Sequence, residues 1–249
     1  LREALQQTLS QVPLWQKEMR GRFKILNQDT MEGTVTSLTG QLVADYADLP
    51  RVHDYLTAVR KDIIEHGDLF HQGDGEDGRA PGPDDPSFTR YRVNLLVDNS
   101  ELQGAPVIQE DNPSYLNLLG RIEHIAHLGT LSTDFTLIKA GALHRANGGY
   151  LILDALRLLS NPFAWDALKR VLRAGEIRIE SLERVLSLAG TTSLEPEPIP
   201  AEVKVILVGE RPLYYLLDGY DPDFAQLFKI AADFAEEMPR SPRQDPSYA

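Results

Sequence analysis

Cysteine is absent from the 249 residues, which excludes disulfides and thiolate chemistry and suits a reducing, cytoplasmic setting. Cations are also short: 25 Lys and Arg stand against 37 Asp and Glu, a formal net charge of −12. Taken whole, the chain does not offer the basic surface that tracks nucleic-acid phosphates. No apolar run approaches the roughly 20 residues that cross a bilayer. No charged start followed by an apolar stretch marks a signal peptide. Neither a nucleic-acid nor a membrane partner is expected. Catalytic signatures are missing too. No Gly-x-x-x-x-Gly-Lys-Ser/Thr loop occurs to cradle a nucleotide, and neither a Gly-x-Ser-x-Gly elbow nor a His-Glu-x-x-His zinc site is present.

A hydrophobic fraction of 42% is ample for a folded core. Near the N-terminus Leu5, Val12, Met19 and Leu26 fall seven apart, the period of a helix packing along another helix. Pro13 is expected to kink or split that helix. Further helices are expected from about Thr30 to Tyr46 and after Leu49-Pro50, ending at Gly67. Residues 1–66 thus read as an α-helical hairpin or bundle that serves as a docking arm or spacer. Residues 67–89 read as an acidic, Gly- and Pro-rich linker. From Tyr91 to Asp98 an apolar run predicts a strand, and Asn112-Pro113-Ser114 predicts the start of a helix. A second helical piece is expected from Arg121 to Leu128, carrying Glu123, His124 and His127. Two histidines three apart with no further ligand in view read as solvated side chains, so no metal site is assigned.

The most informative stretch runs from Ala140 to Ala155. A helical turn over Ala142 to Ala146 is stopped by Asn147-Gly148-Gly149. The apolar run Tyr150-Leu151-Ile152-Leu153 then ends in Asp154. This is the pattern of a buried parallel strand with a carboxylate at its C-terminal end, where open α/β sheets bind ligands. An amphipathic helix follows over Phe163 to Arg173, with Gly175 as its stop. The alternating runs Ile177 to Glu180 and Val185 to Leu188 predict a β-hairpin. Pro196 to Pro200 reads as a stiff linker, Val203 to Val208 as a second buried strand, and Pro212 to Leu217 as a helix.

These residues resemble the Walker B segment and its surroundings in the AAA+ modules of Lon-like proteases, over about residues 90 to 240, with wording close to the subgroup called LonC. The resemblance implies an α/β fold: part of an AAA+-like parallel sheet with flanking helices and a β-hairpin insertion. It also implies an interior piece of a longer Lon-like protein. A P-loop would precede the helical insertion, and a helical lid and a serine–lysine protease domain would follow residues 241–249; the signature of that protease site is itself absent here. By the same resemblance Asp154 stands at the Mg²⁺-holding position. Ala155 replaces the water-activating glutamate, Gly209 and Glu210 replace the polar sensor, and Lys229 stands near the trans-acting arginine. Tyr115, Leu116, Leu131 and Phe135 are candidates for gripping polypeptide in a central pore, with ordinary core packing as the alternative. This chain is assigned no catalytic residue and no cofactor of its own. ATP and Mg²⁺ belong to the parent, and the three replacements argue against their turnover. The implied partners are further copies, in a ring that is hexameric by resemblance, and unfolded protein. Three roles stand open: a passive gate to a protease chamber, an ATP-driven motor, and a scaffold that uses the arm.

Overall fold

The computed structural model describes residues 2–67, 85–127, 130–180 and 194–234. They form two compact units, Leu1–Arg92 and Val93–Ala249. In the first unit, helix α1 (Arg2–Asp45) continues through Pro13 as one helix, so Pro13 does not split it. It turns back into α2 (Pro50–Glu65), which starts on proline. The two helices pack along a stripe of α1 that includes Met31, Val35 and Thr39, and Val35 is buried. A 3₁₀ turn (Pro86–Tyr91) is tied back to α2 through Asp62, which accepts from the Tyr91 hydroxyl at 2.8 Å and from Arg90 at 3.2 Å. The Tyr91 hydrogen bond holds the Asp62 carboxyl below its usual range. Burial and the same bond push the Tyr91 phenol up to about 12.

The second unit is α/β. Its sheet has three parallel strands in the order β1 (Val107–Glu110), β6 (Tyr150–Asp154), β9 (Lys204–Val208). Leu151 and Leu153 of β6 are fully buried, with Ile108, Val205 and Leu207 beside them on the same face. That face is covered by α3 (Tyr115–Leu119), α4 (Ala142–Arg145) and α6 (Ala164–Ala174). Helix α6 contributes Ala164, Ala167, Leu168 and Val171, the i, i+3, i+4, i+7 stripe of a core-facing helix. Strand alternation turns Val107, Tyr150, Ile206 and Val208 to the opposite face, where all four are exposed.

Two glycines set the entry to β6. Gly148 has φ of 80°, which favours glycine, and a Cβ on Gly149 would stand 2.0 Å from the Pro106 carbonyl oxygen. That close approach lets the Tyr150 N–H donate to Pro106 at 2.8 Å and brings β1 alongside. His144 lies in the core above the turn. Its Nδ1 accepts the Gly141 N–H at 3.3 Å, which leaves the proton on Nε2, and that atom is buried without a partner among the described residues. Burial pulls the His144 pKa down to about 4. On the far side of α6, α7 (Arg211–Tyr220) and α8 (Phe224–Leu227) are fastened by Asp221. It accepts from Trp165 Nε1 at 2.6 Å and Lys169 Nζ at 2.8 Å, beside stacked Trp165, Phe224 and Phe228.

Four expectations are corrected. Residues 92–98 are not a strand: the Asn94 side chain donates to the carbonyls of Phe135 and Ile138, so a side chain rather than a ladder anchors the segment. The strand in that part of the chain is β1, which is short and lies after Pro106. Residues 121–127 are not helical. They form β2 (Arg121–Ile122), paired with β5 (Ile138–Lys139), and β3 (Ile125–His127), paired with β4 (Thr130–Ser132). Arg121 binds Glu123 at 2.7 Å, the i,i+2 neighbour that an extended backbone places on one side. Third, the strand at Ile177 is β7 (Glu176–Ile177), and it pairs with β8 (Ile199–Pro200), within the segment read as a linker. Its expected partner, residues 185–188, lies outside the described residues, as do 68–84 and 235–249. Finally, the two N-terminal helices expected on either side of residue 28 are one.

The buried imidazole gives this fold an acid limit. Above pH 6.5 the folded and unfolded histidine are both neutral. Between pH 6.5 and about 4 only the unfolded state takes up the proton, so stability falls as pH drops through that window. The full loss is about 3 kcal/mol. Urea unfolding midpoints at pH 7 and pH 4.5 should fall further for the wild type than for His144→Gln, which cannot ionise.

Candidate functional site

Because all three strands run parallel, their C-terminal ends converge: Glu110 closes β1, Asp154 closes β6, and Val208 closes β9 as the register partner of Asp154. Loops and helix starts meet at such an edge, which makes it the ligand end of an open α/β sheet. The chain leaves β6 directly into α5 (Ala155–Ser160), so Asp154 is both the last strand residue and the helix N-cap. Its Oδ1 accepts the Arg157 N–H at 2.8 Å, which satisfies one of the orphan donors of the first helical turn.

Ala155 is 5% exposed. Gly209, one residue beyond β9, lies against it: a Cβ added at 209 would stand 3.0 Å from the Ala155 Cβ and 3.5 Å from Leu213 Cδ1. The two positions singled out separately in the sequence are therefore one contact, and it is closed by small side chains. Glu210 is exposed at the N-cap position of α7 and makes no side-chain capping bond there. Lys229 is exposed beyond the end of α8 and shares no hydrogen bond or ion pair with these residues among the described interactions.

Of the residues proposed to grip polypeptide, Tyr115 is buried in the core. Burial, and the charge of Glu180, push its phenol pKa up against the opposing charge of Arg170. Leu116 packs half-buried against the same core. Phe135 is half-buried in a 3₁₀ turn (Phe135–Leu137) capped by Asp134, and the Leu131 side chain lies outside the described residues.

Two arginines that the sequence reading passed over brace this edge. Arg157 Nη1 donates to the Asp111 carbonyl at 2.8 Å, and Arg145 Nη2 binds Glu110 at 2.8 Å. The Asp154-x-x-Arg157 spacing signals only the cap bond to the Arg157 backbone N–H; the side-chain bonds of Arg157 to Asp111 and of Arg145 to Glu110 join residues far apart in sequence and had no signal.

An AAA+ fold implies a nucleotide and Mg²⁺ at this edge, and the side chains present do not fit them unaided. One Asp154 oxygen is taken by the α5 cap, and Ala155 and Gly209 bring no polar side-chain atom. No group of three or more potential metal ligands occurs among the described residues.

A family model described as LonB-like, AAA domain matches residues 103–235, more than half of the chain. A putative Lon protease homolog from Escherichia coli (strain K12) is similar at 30% identity over 93 residues, 37% of this chain and 15% of that protein. The match thus spans a small part of the relative's length.

Removing the cap should separate structure from chemistry at this edge. Asp154→Ala is expected to destabilise the chain by about 1 kcal/mol, and Asp154→Asn, which keeps an accepting oxygen, to recover most of it. Ala155→Glu, which buries a carboxylate beside Gly209, is expected to cost about 2–4 kcal/mol. Urea denaturation of the three variants measures both effects.

Proposed function

As this chain belongs to the family of LonB-like AAA domains, we propose that it is the AAA+ module of a Lon-like serine–lysine protease and turns over little or no ATP. In this reading copies of the module form a cytoplasmic ring, hexameric by resemblance, that admits unfolded polypeptide to a protease chamber carried by the rest of the parent protein.

One observation supports the passive reading: Ala155, buried at the start of α5, lies against the exposed Gly209, and neither residue brings the water-activating carboxylate or the polar sensor that hydrolysis needs. Orienting the attacking water and stabilising the transferred phosphoryl group are the chief tasks of the protein in such chemistry. Side chains of one carbon and none can do neither. Asp154 acts as a helix cap, a role that survives without nucleotide. Lys229 would supply a point charge in place of the planar fork of an arginine. The exposed sheet face of Val107, Tyr150, Ile206 and Val208 supports a module completed by further protein, since parallel sheets are normally covered on both faces. With Tyr115 committed to the core, Leu116, Leu131 and Phe135 are the remaining candidates to meet the polypeptide.

Calorimetry of the full-length parent with Mg²⁺ and ATP, beside degradation of an unfolded protein with and without ATP, tests this. Degradation at the same rate in both conditions, with no detectable nucleotide binding, is the expected result. Tight binding with ATP-dependent degradation would instead assign a motor whose water-activating group comes from elsewhere in the ring. A parent without protease activity would leave only the scaffold.

A further inference from the structure

Residues 93–97 have the composition of a strand and no ladder. Apart from Asn94 the run Val93-Asn94-Leu95-Leu96-Val97 is apolar, and it carries no charge. Its first four residues alternate in exposure as a strand does: Val93 and Leu95 are 76% and 67% exposed, whereas Asn94 and Leu96 are half-buried. Among the described interactions no main-chain N–H or C=O of these residues takes a hydrogen bond. A side chain holds the segment in place instead. Asn94 Nδ2 donates to the Phe135 carbonyl at 2.8 Å and to the Ile138 carbonyl at 3.1 Å, so an amide group rather than the main chain meets β5. An apolar run that is fixed in place while its main-chain donors and acceptors stay unpaired presents the edge that an added strand completes.

We infer that residues 93–97 dock an extended stretch of unfolded polypeptide as an added β-strand, an inference that rests on the reading of this module as one that admits such a polypeptide. The chemistry of the segment selects that occupant. Unpaired main chain is matched by main chain, and such pairing is blind to side chains, as recognition of unfolded sequence requires. A folded partner keeps its own strand edges paired or covered, whereas an unfolded chain offers a free edge along its whole length. Without charge the run repels neither acidic nor basic stretches. Val93 and Leu95, two residues apart and so on one side of an extended chain, add an apolar contact for side chains that a folded protein keeps buried. Asn94 ties the segment to Phe135, one of the remaining candidates to meet the polypeptide.

Fluorescence anisotropy of labelled, reduced and carboxymethylated α-lactalbumin, an unfolded probe, with the full-length parent tests this. Successive N–H groups of an extended chain point to opposite edges, so Leu95→Pro and Leu96→Pro each delete the donor on one of them. Neither removes a main-chain hydrogen bond of the folded module, and urea midpoints check that both stay folded. Alanine at the same position keeps the N–H and controls for the lost side chain. One of the two proline variants is expected to bind the probe about tenfold more weakly than its alanine counterpart. That variant should also degrade the probe more slowly and cleave a short chromogenic peptide at the wild-type rate. Equal binding by proline and alanine at both positions would overturn the inference and leave the reading of the module intact. Binding already lost in the alanine variants would assign an apolar contact without a ladder, and a changed sedimentation equilibrium of the proline variants would assign the edge to a second copy; either overturns it. A wild-type parent that binds no unfolded probe would overturn the reading of the module, and the inference with it.

Discussion

Burial of Leu151 and Leu153 between β1, β9 and the helices above them is the constraint on which the second unit depends. Strand alternation ties every other feature to it. With these two leucines committed to the covered face, Ile152 and Asp154 must point the other way, and a register slip of one residue would expose the leucines. The same pairing brings Asp154 level with Val208, so the chain leaves both strands side by side and Ala155 meets Gly209. The character of the candidate site is therefore set by packing at the sheet end rather than by the loops around it.

Polar groups inside the fold serve this arrangement and do not add chemistry to it. His144 stays neutral in the core, where its Nδ1 closes the start of α4 at Gly141. Burial alone would raise the Asp221 carboxyl. Hydrogen bonds from Lys169 and Trp165, with the charges of Lys169 and Arg173, outweigh it and hold the group below its usual range. The resulting node locks α7 and α8 to α6 with both charges of its closest pair largely buried, 14% and 13% exposed. Breaking one partner of such a pair costs more than the pair contributes, because the other charge remains buried.

Much of the fold was legible where local and long-range signals agree. The Asn147-Gly148-Gly149 stop, the apolar run into Asp154 and the stripe of α6 each carry a period or turn signal that tertiary packing then uses. Legibility failed where a segment is short or is held by a distant side chain. Strand β1 is too short to show a period. Residues 92–98 look like a strand but are anchored by Asn94, and residues 121–127 contain a helix-like spacing that two small ladders override. At the site, the identities of Ala155 and Gly209 were readable, while their mutual contact was not, since it joins residues that follow two different strands and are brought together only by the pairing of β6 with β9.

The central claim is that the converging ends of β6 and β9 form a packed contact without hydrolytic function. Steady-state phosphate release from saturating Mg²⁺-ATP by the full-length parent, beside the same protein carrying Asp154→Ala, tests it most directly. The account predicts the same background release from both proteins. Turnover by the parent that Asp154→Ala abolishes would show that the carboxylate serves a nucleotide and would contradict it.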